Sequence, residues 1–158
     1  MRSSLYVAPC ALLLLTTLPV HATDFGTRVP MKEKAAETFY VPAHIEGFGD
    51  TEFMVDTGSG YVTINEQTLA LIKKRGIARY VKSLQGVLAD GSEINVPVYT
   101  IKRLQIGGSC WLHEVEAAVF PGTSRQILGL SALRKAAPFI FSVDPPELAL
   151  SHCASSPS

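Results

Sequence analysis

An apolar run, Phe53-Met54-Val55, leads straight into Asp56-Thr57-Gly58-Ser59-Gly60, so a carboxylate stands where a buried strand becomes a tight turn. A charge at the end of a buried strand is costly unless polar groups compensate it. Backbone N–H groups of the turn and a nearby hydroxyl can do so, and Thr57-Gly58-Ser59 supplies both. Two readings of such a carboxylate are open, a catalytic group or an ordinary turn residue. Asp-Thr-Gly is a short motif, and Asp close to Gly is ordinary turn composition. The rest of the chain has to supply the context.

The other candidate groups read as structural. His44, His113 and His152 have neither i, i+4 spacing nor a cluster of further ligands, so no metal site and no cofactor are expected. Glu114 and Glu116 alternate with Val115 and Ala117, the pattern of a strand with one solvated face. Ser59 and Ser131 lack the Gly-x-Ser-x-Gly context of a nucleophile elbow. Lys73-Lys74-Arg75 suits the exposed end of a helix, where cations complement the helix dipole. Trp111 beside Cys110 reads as packing.

The elements that must position Asp56 are mostly strands. Thr38 to Ile45 is rich in aromatic and β-branched residues and meets a turn at Gly47-Phe48-Gly49-Asp50, which predicts a hairpin with Phe53–Val55. Tyr61 to Ile64 is a further strand. Glu66 to Arg75 predicts a helix with Asn65 as N-cap, Leu69, Ile72 and Ala70 facing inward, and Gly76 ending it. Strands follow at Val81–Val87, Ile94–Ile101, Leu104–Ile106 and Trp111–Val119, with hairpin tips at Ala89-Asp90-Gly91 and Gly107-Gly108. Pro121 to Arg125 is a loop, Gln126 to Gly129 a short apolar strand, and Ser131 to Ala137 one or two helical turns. Pro138–Val143 and Glu147–Ser151 form a last hairpin.

The chain has 158 residues, fourteen Lys+Arg against fourteen Asp+Glu, 47% hydrophobic residues, 12 Gly and 10 Pro. That balance excludes binding of nucleic acid or membrane surface by bulk charge, and the punctuation excludes a helical bundle. Arg2, the apolar stretch to Leu15 and the exit Leu18-Pro19-Val20-His21-Ala22 read as a secretory signal over residues 1–22, with no membrane association after its removal and a periplasmic or secreted destination. Cys10 would leave with it. The remainder is the size of one domain: a flexible arm over 23–36, a folded domain over 37–153 and a disordered tail over 154–158. Two cysteines remain, Cys110 and Cys153. An exported pair is a disulfide candidate, with free thiols or a bridge between chains as the alternatives.

With Gln126-Ile127-Leu128-Gly129 downstream of Met54-Val55-Asp56-Thr57-Gly58-Ser59, the sequence resembles the retropepsin-like aspartic proteases, in particular small exported single-domain bacterial members. The resemblance spans about Glu37 to Leu150. It implies a mainly β acid-protease barrel with one main helix, a short C-terminal helix and a flap hairpin. It also implies an aspartic endopeptidase without cofactor, acting on peptide or protein substrates. Asp56 would be the catalytic carboxylate, Thr57 would bond across to a partner chain's loop, Gly58 would permit close backbone approach, and Ser59 would hold the outer carboxylate oxygen. Leu88, Ala89, Asp90 and Gly91 occupy the flap tip, and Phe120, Pro121 and Ile127 the substrate pocket. Ile127 and Leu128 would pass beneath the active loop, with Gly129 leaving room for the crossing. The retroviral pattern of an acid after the motif and an Arg after the later Gly is absent, since Gly60 or Tyr61 and Leu130 stand there. Such chemistry uses two carboxylates sharing a proton. Asp24, Asp50, Asp90 and Asp144 lie in no second Asp-Thr-Gly or Asp-Ser-Gly, so the resemblance implies a homodimer with Asp56 from each chain. The alternative is a non-catalytic module of the same fold that holds an extended peptide by strand addition.

Overall fold

The computed structural model describes residues 24–87 and 91–155. Its strands are β1 (Thr27–Pro30), β2 (Lys32–Lys34), β3 (Thr38–Ile45), β4 (Gly49–Val55), β5 (Val62–Asn65), β6 (Ala78–Val87), β7 (Glu93–Ile106), β8 (Cys110–Phe120), β9 (Ile127–Leu128), β10 (Phe139–Val143) and β11 (Pro146–Leu150). Two α-helices, α1 (Glu66–Lys74) and α2 (Leu130–Leu133), and a 3-10 turn at Ala35–Glu37 complete the described elements.

Period-two alternation sets the inner face of the barrel. Along β3, Phe39, Val41, Ala43 and Ile45 are buried while Thr38, Tyr40, Pro42 and His44 are not. Successive strand side chains point to opposite faces, so one apolar row seals one side of the sheet. The large sheet runs β2-β3-β4-β9-β5-β8-β7-β6, and β3 also pairs with β7, which closes it into a ring. The seam is antiparallel, with Ala43 opposite Ile106 and Ile45 opposite Leu104. Beside it the Arg103 guanidinium bonds the Glu46 carboxylate and holds that carboxyl below its usual range, chiefly through the hydrogen bond. Inside lie Ile45, Phe53, Ile64, Ile72, Ile101, Leu104, Ile106 and Leu128, all fully buried.

Two neighbouring strands of the sequence-based reading are one. Ile94–Ile101 and Leu104–Ile106 join in β7 because pairing with β8 resumes directly after Lys102, Ile101 facing Val115 and Arg103 facing His113, while Lys102 N donates to Ile77 O at 3.0 Å, one step beyond the Ala78–Ile101 pair of β6 and β7. Helix α1 follows expectation at its cap, where Asn65 Oδ1 accepts from Thr68 N at 2.9 Å. Of the three residues expected to face inward, Ile72 is buried and Leu69 packs on the core, but Ala70 is exposed and Thr68 is buried instead. The helix is short enough that only one narrow stripe meets the barrel.

The segment expected to be a flexible arm is largely ordered into strands. β1 pairs antiparallel with β11, Thr27 opposite Leu150 and Pro30 opposite Glu147, and β2 pairs with β3. Val29 and Met31 are buried, and each apolar side chain of that size stabilises by about 1.5–3 kcal/mol on burial. Only two apolar residues, separated by Pro30, carry this signal, too few to read as a strand beforehand. The barrel accommodates Val29 at the β7–β8 tip, where Gly107 has φ +62 and a Cβ would lie 2.4 Å from Val29 Cγ2. At the other terminus Trp111 and Ala154 exchange backbone bonds, Trp111 N to Ala154 O at 3.1 Å and the reverse at 3.2 Å, so the expected tail starts later than Ala154. Residues 1–22, read as a signal, and 156–158 of the tail lie outside the described residues.

Of the alternatives for the cysteines, the bridge within one chain is present. Cys110 and Cys153 are bonded with Cα atoms 4.7 Å apart, tying the start of β8 to the segment after β11. Replacing both by Ala removes a covalent restriction on the unfolded chain and should lower the unfolding free energy by about 2–4 kcal/mol. A urea melt of the double variant reads this directly, and an unchanged midpoint would show the bridge to be idle. Gly129→Ala tests the other close contact of the fold, since a Cβ there would meet Tyr61 O at 2.1 Å. Overpacking should destabilise the protein by about 1–3 kcal/mol in the same assay, and a neutral result would mean the chain can part at that point.

Candidate active site

β4 ends at Val55, and Asp56 is the first residue past it. Met54 and Val55 are still paired, parallel, with Ile127 and Leu128 of β9. The pairing continues one step beyond the strand, because Asp56 N donates to Leu128 O at 3.2 Å. The chain then turns, Ser59 N reaching Asp56 O at 3.3 Å, and the turn is tied down again where Leu130 N donates to Ser59 O at 2.8 Å. β9 therefore passes beneath the turn and is bonded to it on both sides. Gly129 sits at the crossing.

The side-chain environment of Asp56 is set by its own turn. Gly58 N donates to Asp56 Oδ1 at 2.8 Å, and a Cβ on Gly58 would lie 3.2 Å from that oxygen, so glycine permits the approach. Ser59 differs from expectation: its hydroxyl donates to Tyr61 O at 2.8 Å, not to the carboxylate. The turn's own carbonyl takes the donor. Asp56 is half-buried and Thr57 and Gly58 are exposed.

Beside the turn lies a cavity of about 540 Å3. Its walls include Met54, Tyr61, Leu84, Val96, Phe120 and Ile127. Val96, Val98 and Ala118 form a small apolar cluster separate from the main core, with Tyr61, Leu84, Ile94 and Phe120 packed on it. β7 and β8 thus have two apolar faces, one inside the barrel and one flooring this groove. Lys82 stands at the edge, its ammonium 5.3 Å from the Tyr61 ring centre. Hydrogen bonding to Tyr61, then to Glu116, raises the Lys82 pKa.

Phe120 and Ile127 line the cavity and Pro121 does not; Ser124 and Arg125 of the same loop do. The loop turns at Gly122, where φ is +66 and the N–H donates to Glu66 Oε2 at 3.0 Å, leaving Pro121 exposed. Gly91 is exposed beside β7, and Leu88, Ala89 and Asp90 lie outside the described residues.

Sequence reasoning missed the clamps that hold these pieces. Gln126 is a buried amide: it accepts from Thr51 Oγ1 at 3.1 Å and donates to Thr68 Oγ1 at 3.0 Å. Ser131 Oγ accepts from Val62 N at 2.7 Å and donates to Glu116 O at 2.6 Å, joining α2 to β5 and β8. Neither residue has a motif; a polar residue inside an apolar stretch was the only available signal. Among the described residues no group of three or more His, Cys, Asp or Glu side chains could hold a metal ion.

Comparison with known proteins agrees with this geometry. A crystal structure of a retropepsin-like aspartic protease from Rickettsia conorii superposes with a TM-score of 0.59 at 20% sequence identity, covering 81% of this chain and 92% of that one. The likeness establishes the retropepsin-like fold. No curated protein matches the sequence. The family model described as "gag-polyprotein putative aspartyl protease" matches residues 41–135, more than half of the chain and a span that includes the Asp56 turn and the β9 crossing. The chain belongs to this retropepsin-like aspartyl protease family.

Proposed function

We propose that the protein is an aspartic endopeptidase whose catalytic centre is completed when two copies bring their Asp56 turns together. The observation that carries this reading is the half-buried Asp56 carboxylate, oriented by Gly58 N–H at 2.8 Å and standing over the β9 crossing. A second carboxylate in the same setting is not found among the described residues. Asp50 is bonded to His44 Nδ1 at 2.6 Å on the β3–β4 hairpin, and Asp144 is exposed at the tip between β10 and β11.

Two carboxylates brought within a few Å cannot both ionise cheaply, so the pair shares a proton and titrates as a unit. The ionised member accepts a proton from water as the water oxygen bonds to the scissile carbonyl carbon. The protonated member donates to the carbonyl oxygen. Collapse of the tetrahedral intermediate breaks the C–N bond, and the amine leaves with a proton returned by the pair. Activity is therefore expected at acidic to mildly acidic pH. Thr57, exposed on the rim of the turn, is the side chain assigned to bonding across to the partner's turn, and Leu88 to Gly91 to closing over the peptide.

We place the protein in the periplasm or outside the cell, reached through the signal read in residues 1–22; the Cys110–Cys153 bridge supports an oxidising compartment. Fractionation of cells carrying the full chain tests this, and a cytosolic, unprocessed product would overturn it.

Asp56→Asn should lower peptidase activity by at least about 100-fold at pH about 4 to 6. Parent and variant are compared on a peptide library, with an aspartic-protease inhibitor as control, and equal activity would overturn the assignment. Light scattering under the same conditions should find dimers in the active protein. A strict monomer that binds peptides without turning them over would instead identify a peptide-holding module.

A further inference from the structure

The cavity that meets the Asp56 turn at Ser59 and Gly60 is apolar along most of its wall, yet one cation stands in its lining. Arg125 and the Tyr61 phenol are the ionisable side chains among the described residues that line it. Arg125 Nη1 donates to Met54 Sδ at 3.6 Å, a weak acceptor that leaves most of the guanidinium fork unused. The ion pairs formed by lysines and arginines among the described residues involve Arg28, Lys34, Arg79, Lys82 and Arg103, not Arg125. Glu66, the acid anchored against this loop, accepts from Gly122 N.

The backbone on each side of Arg125 is fixed. Asn65 Nδ2 donates to Ser124 O at 3.1 Å, and the Gln126 amide is held by Thr51 and Thr68. The loop is thus pinned to the start of α1 immediately before and after the arginine. A ligand would have to order only the side chain, which keeps the entropic cost small. A guanidinium recognises a carboxylate through two parallel N–H donors, a match that an ammonium lacks.

We propose that Arg125 makes this groove selective for a substrate side chain with an aliphatic stem and a carboxylate end, that is, a glutamate in the peptide position that fills the cavity. The stem packs on the apolar wall and the carboxylate meets the fork. This rests on the peptidase reading of Asp56.

The test uses the full chain and amidated peptides scanned through each position around the scissile bond with Glu, Gln, Leu or Lys. One Gln peptide is also prepared with a free C-terminal carboxylate. Turnover is measured with the parent, and binding by fluorescence anisotropy with the Asp56→Asn protein. At one position Glu should exceed Gln by about threefold to tenfold in kcat/KM and in affinity. Arg125→Gln should bring the two within twofold, Arg125→Glu should turn the preference toward Lys, and Lys74→Gln, which loses the same charge at the end of α1, should retain the preference for Glu. Equal binding of Glu and Gln peptides, or a preference that survives Arg125→Gln, would overturn the proposal. So would a preference that follows only the free C-terminal carboxylate, or a loss of dimer mass in Arg125→Gln, which would make the arginine a subunit contact. Failure of the parent to cut any peptide would count against the peptidase reading, while the binding order would still decide the role of Arg125.

Discussion

At Gly129 the backbone of β9 runs so close under the Asp56 turn that a Cβ would stand 2.1 Å from Tyr61 O and 2.8 Å from Ser59 O. The rest of the candidate site depends on that approach. It allows Leu128 O to receive Asp56 N on one side and Ser59 O to receive Leu130 N on the other. A turn carrying a carboxylate would otherwise have its backbone groups answered by water and its geometry left loose. Bonded from below, it holds Asp56 with Gly58 N–H already at the carboxylate oxygen.

The same crossing connects the site to the barrel. β9 is only two residues long, yet it pairs in parallel with β4 and touches β5 at Thr63, so it fills the gap between strands that do not pair directly. The loop leading into it is clamped by Asn65, Glu66 and Gln126, and the helix leaving it is clamped by Ser131. Buried side-chain amides and hydroxyls are costly when unpaired. Gln126, the buried amide of this group, is paired with both Thr51 and Thr68, which ties the loop that carries Arg125 to β4 and α1, while Ser124 Oγ beside Arg125 is buried without a partner among the described residues.

β7 and β8 show how the groove is obtained without a separate element. In β8, Val115, Ala117 and Val119 face the core while Ala118 and Phe120 join the groove cluster, and in β7 Ile101 and Val98 divide in the same way. A strand buried on both faces reads as a nearly continuous apolar run, and that is how Tyr99 to Ile101 and Ala117 to Val119 look in the sequence. The run itself does not say which parity belongs to the barrel and which to the groove.

The Asp56 motif, the strand before it, the Asn65 cap, the turn glycines and the Ile127-Leu128-Gly129 stretch were legible because each is a local pattern: alternation, capping chemistry or a backbone position that only glycine fits. The retropepsin-like character followed from their order along the chain. Four things were decided by tertiary structure. Val29 and Met31 become core residues because β11 and the Gly107 tip happen to receive them. Ser59 turns to Tyr61 O because of how the loop folds back, and Pro121 leaves the cavity because Gly122 N–H is drawn to Glu66. Cys110 and Cys153 pair within the chain because the segment after β11 returns to the start of β8. In each case the partner lies far away along the chain or depends on loop geometry, and residue types and spacing alone carry no information about which distant surface a short segment will meet.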